Sequence, residues 1–294
     1  MNRHLSLLLK SVILFCILFV FGCNSFGETR KHDNLSYGIP GKADTIIERP
    51  GYALGYIEYH EQPAWVIYIM TKAEATTKVA KRTNKFRSDS KIPTGSATTG
   101  DYSRSGYDRG HLAPAADMAF SGQTMADSFF MSNMSPQKPA FNRGIWKDLE
   151  ALVRYFAITE REIVVVTGPI LPKKKTVTIG TNQVTVPTHY YKVIFDLTPP
   201  RKMIGFILPN EGSDEPLATF AVTVDAVEKA TGLDFFQNFQ RKNKSNLRAA
   251  VNEHERWPEI EHCKWPGNEH FGGQDAVECS MVEKRQSNFE IVIC

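Results

Sequence analysis

A series of short β-prone segments, which follow one another without a regular helix between them, constrains the fold of this chain most strongly. Strands joined by short turns pair antiparallel, whereas parallel strands need long crossover connections. The series therefore predicts an α+β domain with an antiparallel central sheet, flanked by helices, rather than a doubly wound parallel sheet. The segments are residues 163–166, 183–186, 189–197, 203–208 and 217–224, with an earlier run at 64–70.

Two flanking helices and one long loop are also predicted. The helix that comes second along the chain is expected to begin at residues 225–228 and to end at Gly232. Residues 72–101 are basic, rich in Thr and Ser and poor in apolar residues, which is typical of a long surface loop with a function. The first helix shows an apolar stripe with spacings of three and four, formed by Ile145, Leu149, Leu152, Val153 and Phe156.

Residues 1–22 form a predicted signal peptide. Arg3 and Lys10 precede the apolar run 11–21, which is shorter than the roughly 20 residues that span a membrane. The run ends at Gly22-Cys23 and resembles a lipoprotein signal, in which Cys23 would be lipidated and become the N-terminus. Simple cleavage and an uncleaved anchor are the alternatives. We expect an exported protein, either lipid-anchored at the cell envelope or secreted.

Three further segments are predicted from composition. Residues 23–50 are polar and Gly-rich and suggest a tether, residues 51–250 form the main domain, and residues 251–294 form a charged appendage. Disulfides persist in an exported protein. A Cys263–Cys279 bond is the first choice, and Cys23 could pair with Cys294 if it is not lipidated. His262 and His270 lie beside these cysteines, but their spacing fits no standard zinc site.

The overall charge does not decide whether the partner is a polyanion. The chain has 35 Lys and Arg against 32 Asp and Glu. Removal of Arg3 and Lys10 with the signal leaves 33 against 32, a net charge of +1. Contact with a nucleic acid would therefore have to come from a local basic patch.

The first motif with chemical potential is Asp108-Arg109-Gly110-His111. In an extended segment Arg109 and His111 point to the same face, and Gly110 allows a backbone or ligand to approach closely. Histidine can accept a proton at neutral pH, and arginine can hold a phosphate. This pair suits phosphodiester hydrolysis. A surface Arg–Asp pair beside a core histidine is the ordinary alternative.

The second motif places Asn142 and Glu150 around the first helix. An amide oxygen is a suitable ligand for Mg²⁺, which usually keeps several waters. Eight helical residues span about 12 Å, so the two side chains are not both expected to be direct ligands. Glu150 would act through metal-bound water. The alternatives are a helix N-cap for Asn142 and a solvated helix face for Glu150.

In this order the motifs resemble the DNA/RNA non-specific endonucleases, the ββα-metal (His-Me finger) family, which includes mitochondrial endonuclease G and secreted bacterial nucleases. The resemblance runs from about residue 51 to about residue 236. It implies a ββα-metal motif within the α+β fold and an endonuclease that hydrolyses phosphodiester bonds of DNA and RNA. The matching segments are residues 101–102, 106–114, 132–137, 142–150, 166–169, 186–193 and 208–210.

The resemblance also implies a role for each site residue. His111 would be the general base, and Asn142 the protein ligand of a hydrated Mg²⁺, with Mn²⁺ also possible. Arg109 would stabilise the charged transition state, and Glu150 would orient metal-bound water. A further family arginine would be Arg82, with Arg87 as the alternative.

Three further positions have a structural interpretation. Asp108 is interpreted as structural, His189 as a packed or hydrogen-bonded strand residue, and Phe235-Phe236 as core. The partners would be DNA and RNA, held through their phosphates, and a membrane only through a lipid on Cys23. A nucleic-acid-binding module and a phosphodiesterase for small diesters are the alternative functions. The oligomeric state stays open.

Overall fold

The computed structural model describes residues 33–199, 201–242, 263–264 and 278–279. Its main feature is a seven-stranded antiparallel sheet with the strand order β1-β2-β3-β6-β9-β10-β11. The α+β class and the antiparallel sheet are therefore confirmed. The seven strands are β1 Thr45–Glu48, β2 Ala53–Ile57, β3 Gln62–Thr71, β6 Glu162–Pro169, β9 His189–Asp196, β10 Lys202–Pro209 and β11 Ala221–Val222.

The remaining strands form two-stranded pairs outside this sheet. They are β4 Asp108–His111 with β5 Met134–Gln137, β7 Thr178–Ile179 with β8 Val184–Thr185, and β12 Cys263–Lys264 with β13 Glu278–Cys279. The helices are α1 Lys72–Thr76, α2 Thr99–Tyr102, α3 Gly122–Ser128, α4 Pro139–Arg143, α5 Ile145–Glu160, α6 Val224–Thr231 and α7 Gln237–Lys242.

Side chains alternate along the strands, so the sheet has two apolar faces. On one face, residues 163 and 165 of β6 and 190 and 194 of β9 pack against α5. On the other face, residues 164 and 166 of β6 and 191, 193 and 195 of β9 pack against α6 and Phe235-Phe236. We call these the α5 face and the α6 face. The expected core position of Phe235-Phe236 is confirmed.

The segment between β3 and β6 leaves the sheet and returns to the same place. β3 pairs with β6, and Thr71 lies opposite Glu162. The amide of Lys72 donates a 2.6 Å hydrogen bond to the carbonyl of Arg161, so residues 72–161 begin and end together. This excursion carries α1 to α5 and the β4–β5 pair.

Several local expectations are corrected by the structure. Residues 217–224 begin with a 3-10 helix, Leu217–Phe220, and only Ala221–Val222 form a strand. Residues 183–186 give the short β8, outside the main sheet. Residues 72–101 contain two short helices as well as the loop between them. Helix α6 begins one residue earlier than expected because Thr223 caps it, and Gly232 ends it as predicted.

The folded part also begins earlier than the tether prediction for residues 23–50. The side chain of Asn34 is buried and accepts a 3.0 Å hydrogen bond from the amide of Ile69. β1 lies within residues 23–50 and pairs with β2. Residues from Asn34 onward therefore belong to the domain.

Some predictions concern residues outside the described ranges. These are the signal segment 1–22, the lipid site Cys23, His262, His270 and Cys294. In the backbone of β12 and β13, Cys263 lies opposite Cys279, and the disulfide between them stays a prediction. Within the described residues, none of the helices has the length and apolar character needed to cross a bilayer.

Candidate active site

The first motif forms one strand of a two-stranded pair. β4 contains Asp108 to His111 and pairs antiparallel with β5, and His111 lies opposite Met134. The side chain of Asn133 fixes the next turn, because its Oδ1 accepts a hydrogen bond from the amide of Ala113 and its Nδ2 donates to the Ala113 carbonyl. With α4 directly after β5, this segment has the order strand, strand, helix.

His111 is buried between aromatic rings. Its ring lies 4.9 Å from the ring of Phe129 and 5.6 Å from that of Phe86, and its side chain is 7% exposed. Among the residues that the structure describes, none forms a hydrogen bond with Nε2 of His111. A buried nitrogen without a partner is rare in native proteins, and a catalytic role is one physical explanation for it.

The imidazole of His111 is neutral at pH 7. Burial first, and then the guanidinium groups of Arg82 and Arg109, together lower its pKa to about 3. The neutral form is the one that accepts a proton. The two arginines also place positive charge close to the histidine, where a phosphate would be attracted.

Arg109 shares a neighbour with His111, as the alternation along β4 predicted. Its guanidinium carbon lies 4.2 Å from the centroid of Phe86, and the residue is exposed. The expectation that Gly110 leaves room for a backbone or a ligand is corrected. A Cβ at Gly110 would collide with the side-chain amide of the buried Gln137, which occupies that space.

Asp108 holds the amide of Asn142. Nδ2 of Asn142 donates a 2.9 Å hydrogen bond to Oδ2 of Asp108, and Arg143 forms a forked ion pair with the same carboxylate at 2.6 and 2.8 Å. The amide nitrogen is therefore engaged, and the oxygen Oδ1 is the atom left to bind a cation. The structural role expected for Asp108 agrees with this geometry, although it orients Asn142 as well as its own strand.

Asn142 does not cap the long helix, which corrects one alternative from the sequence. It lies in α4, and Gly144 separates α4 from α5. A Cβ at Gly144 would come within 2.6 Å of the Ala140 carbonyl oxygen, so only glycine allows this close approach. The spacing of 12 Å along one helix therefore does not apply to Asn142 and Glu150.

Glu150 lies on α5 and is half-buried. Burial raises the pKa of its carboxyl to about 7, while the ammonium of Lys192 acts in the opposite direction. Arg82 is also among the cations that lower it. Because Arg82 influences both Glu150 and His111, it links the two groups electrostatically.

The two candidate arginines of the basic loop differ in their surroundings. Arg82 is exposed, and its guanidinium carbon lies 5.3 Å from the ring of Phe129, which also contacts His111. Arg87 instead donates to the Ala126 carbonyl at 2.7 Å and stacks 3.8 Å from Phe130. The geometry favours Arg82 as the arginine of the site and gives Arg87 a structural role.

His189 has different surroundings from His111. It is exposed at the start of β9, and its Nδ1 forms a 3.1 Å hydrogen bond with the Thr188 hydroxyl. The sequence interpretation as a hydrogen-bonded strand residue agrees with this contact, although its side chain is not packed.

Sequence reasoning missed a buried polar group of residues beneath α5. Lys192 of β9 is fully buried, and Asp117 forms a 2.8 Å ion pair with Arg154 and a 2.7 Å hydrogen bond with the Tyr68 hydroxyl. The signal that could have revealed it is a lysine in the otherwise uncharged run from residue 189 to residue 195. Lysine is almost never fully buried without a reason.

The residues present are compatible with a metal that keeps most of its waters. No cluster of three or more His, Cys, Asp or Glu able to hold a metal occurs within the described ranges. The available oxygens are instead the amide of Asn142, oriented by Asp108, and the carboxylate of Glu150. Hard oxygen donors in small number suit a hydrated divalent cation such as Mg²⁺.

Comparison with known proteins identifies the family. The profile of the DNA/RNA non-specific endonuclease family matches residues 30–242. This chain belongs to that family. It is therefore a nuclease, a hydrolase that acts on nucleic acid, and its family is metal-dependent.

Named relatives are similar over most of their length. The chain is 37% identical to the mitochondrial nuclease of Saccharomyces cerevisiae, over 74% of this chain and 73% of that one. It is 38% identical to nuclease C1 of Cunninghamella echinulata, over 74% and 92%, and 35% identical to human mitochondrial endonuclease G, over 69% and 72%. A chain in the crystal structure of the EndoG/EndoGI complex matches with a TM-score of 0.66 and 35% identity, over 71% and 92%. That complex concerns the inhibition of EndoG.

Proposed function

We propose that this nuclease is an exported, Mg²⁺-dependent endonuclease that cuts DNA and RNA with little sequence preference, with His111 as the general base. The observation that carries the proposal is the buried Nε2 of His111, which has no hydrogen-bond partner among the described residues. The positive charges of Arg82 and Arg109 both act on its imidazole. A base beside two phosphate-attracting groups suits hydrolysis of a phosphodiester.

The arginines connect substrate binding to the strength of the base. Without a phosphate, Arg82 and Arg109 lower the pKa of His111, after burial, and make it a weak base. A bound phosphate would offset their positive charge and raise the proton affinity of the imidazole. His111 would then take a proton from the attacking water, and Arg109 would hold the phosphate as its charge increases.

The amide oxygen of Asn142 would hold the metal, and Glu150 would contact it through water. When bound, Mg²⁺ supplies polarisation of the phosphate and stabilisation of the leaving oxygen. Asp108 supports this role by fixing the amide nitrogen of Asn142 at 2.9 Å. Mn²⁺ has the same preference for oxygen ligands and would also support activity.

Low sequence preference would follow from contacts made mainly to phosphates, which carry no sequence information. The names of the relatives, which include a mitochondrial nuclease and endonuclease G, support a nucleic-acid substrate. Several of those relatives are mitochondrial, whereas residues 1–23 of this chain resemble a lipoprotein signal. We therefore propose export for this chain, with attachment to a membrane through a lipid on Cys23.

A digestion assay distinguishes the proposed function from its alternatives. Supercoiled plasmid, an unstructured RNA and a small aryl phosphodiester are each incubated with Mg²⁺ or with EDTA. We expect cleavage of both polymers within the chain in Mg²⁺ and none in EDTA. Binding without cleavage would favour a nucleic-acid-binding module, and turnover of the small diester alone would favour a phosphodiesterase.

A further inference from the structure

Lys192 is a buried cation that has no role in the proposed mechanism. Its side chain is fully buried in β9, on the α5 face of the sheet. Its Nζ donates a 3.2 Å hydrogen bond to the Thr167 hydroxyl and lies 4.6 Å from the ring of Trp146. An ammonium has three donors, and within the described part of the chain Thr167 supplies its one hydrogen-bond acceptor.

The position of Trp146 places Lys192 beneath the turn of α5 that carries Glu150. Residues four apart on a helix are neighbours on one face, so Glu150 follows Trp146 and Arg154 follows Glu150 along the same side. Arg154 reaches Asp117 at 2.8 Å. We call Lys192, Glu150, Arg154 and Asp117, whose charges influence one another on this side of α5, the polar seam.

The electrostatics agree with this placement. Burial lowers the pKa of Lys192 to about 8. The carboxylate of Glu150 is the charged group that opposes this lowering most strongly. Conversely, Lys192 is the strongest of the cations that lower the pKa of Glu150. Replacement of a buried ion pair by apolar residues of similar size is often neutral or stabilising. Stability alone therefore does not account for a lysine at this position.

We propose that Lys192 is a positioning residue, which acts from below α5 to hold the carboxylate of Glu150 in its place beside the catalytic site. Lys192 does not touch the substrate, because its side chain is fully buried. The inference rests on the proposed function, in which Glu150 orients water at the metal. Loss of the ammonium would leave the carboxylate on the same helix but without its charged neighbour.

The substitution Lys192→Met, which keeps the volume and removes the charge, tests the role in catalysis. Loss of a group that orients a metal-associated residue reduces activity by about 10- to 100-fold. We expect the kcat for plasmid cleavage in Mg²⁺ to fall by about tenfold, with the KM for DNA unchanged. In a Glu150→Gln background the same substitution should cause no further loss. A full additional loss in that background would contradict the proposal.

A second readout uses metal-free protein and no activity. Urea unfolding of wild type, Lys192→Met, Glu150→Gln and the double variant gives the coupling between the two charges. We expect the double variant to lose less stability than the sum of the single variants. If the stability losses of the two single variants simply add in the double variant, the two charges are not coupled and the proposal is contradicted. If wild type showed no cleavage in Mg²⁺ while the coupling was present, the proposed function would fail and the charge contact would stand.

Lys202→Met is the matched control. Lys202 lies on the neighbouring strand β10 and forms a 2.8 Å ion pair with Glu160, at the far end of α5. Its loss should reduce stability without a change in kcat. If Lys192→Met fails to fold, Thr167→Val removes the hydroxyl that holds the ammonium and should reduce kcat in the same direction. Wild-type kcat in a folded Lys192→Met would contradict the proposal, and so would wild-type kcat in Thr167→Val if Lys192→Met does not fold.

Discussion

Strand β9 presents Val193 and Phe195 to one side of the sheet and Lys192 to the other. On the α6 face, Phe195 packs among Tyr37, Phe236 and Phe239, with ring centroids 4.8 to 5.9 Å apart. On the α5 face, the apolar core surrounds the polar seam, which lies under the helix that carries Glu150.

The α5 face and the α6 face of the sheet have different roles in the same domain. The apolar α6 face stabilises the sheet by burial and packing. The α5 face must also hold charged groups in defined positions, and buried charge is retained at a free-energy cost. We therefore expect substitutions on the α6 face to reduce stability, and substitutions at His111 and Asn142 to reduce activity with little change in stability.

The largest effect is expected at His111. His111→Ala should leave a folded protein that binds DNA but cuts it at least about a hundredfold more slowly, since a positioned general base contributes about 10² to 10⁴ in rate. His111→Gln, which fills more of the space between Phe86 and Phe129, should be equally slow. Plasmid nicking at several Mg²⁺ concentrations measures both variants.

The control for this prediction is Asn142→Ala. It removes the proposed metal ligand but leaves the base, so excess Mg²⁺ should partly restore its activity, whereas His111→Ala should stay slow at every concentration. Wild-type cleavage by His111→Ala, with EDTA abolishing the activity of both proteins, would show that another group is the base.

On the α6 face, Phe195→Ala should have the opposite profile. Removal of a buried phenyl ring costs about 3–5 kcal/mol in the free energy of unfolding, which urea titration measures. At a temperature where the variant remains folded, its kcat should equal that of wild type. Phe195→Leu should lose less stability. A large loss of kcat in the folded variant would show that the two faces are not independent.

The smallest effect is expected at Asp196, which ends β9. Burial raises the pKa of its carboxyl to about 7, and the Thr198 amide opposes this. Between about pH 4 and pH 7 the folded state then binds more protons than the unfolded state, so stability falls as the pH rises. Asp196→Asn should be more stable than wild type by about 1 kcal/mol at pH 8, allowing for screening.

The comparison of two pH values tests this assignment. At pH 4 the carboxyl is protonated in the folded protein, so the melting temperatures of Asp196→Asn and wild type should agree. A stabilisation of equal size at both pH values would mean that charge is not its cause.

The elements with a strong local signal were predicted, and those fixed by packing were not. The apolar stripe from Ile145 to Phe156 predicted α5, because its spacing marks the side of a helix that is buried. The break at Gly144 was missed, since it depends on a close approach to the Ala140 carbonyl. The candidate site residues were named from their motifs, and their roles stay predictions. The surroundings of Arg82 and Arg87 were not foreseen, because the contact of Arg82 with Phe129 joins residues that are remote in sequence.

The polar seam was missed for a related reason. Lys192 lies within a strand-like run, and its neighbours Thr167, Trp146 and Glu150 come from β6 and α5. Alternation along β9 indicates a face for Lys192 but does not show which helix covers that face. Only the strand order of the sheet brings these side chains together.

Residues 72–161 begin and end at the same place on the sheet, and this affects how the site is assembled. Closing a flexible loop of roughly 90 residues costs about 4 kcal/mol of chain entropy by a simple polymer relation, and further lengthening adds little. The pairing of Thr71 with Glu162 closes this loop. All the candidate site residues lie on the loop, so this one closure serves them all. The exposed parts of the excursion can therefore gain or lose residues without moving β3 relative to β6. The catalytic segment can vary in length while the register of the sheet beneath it stays the same.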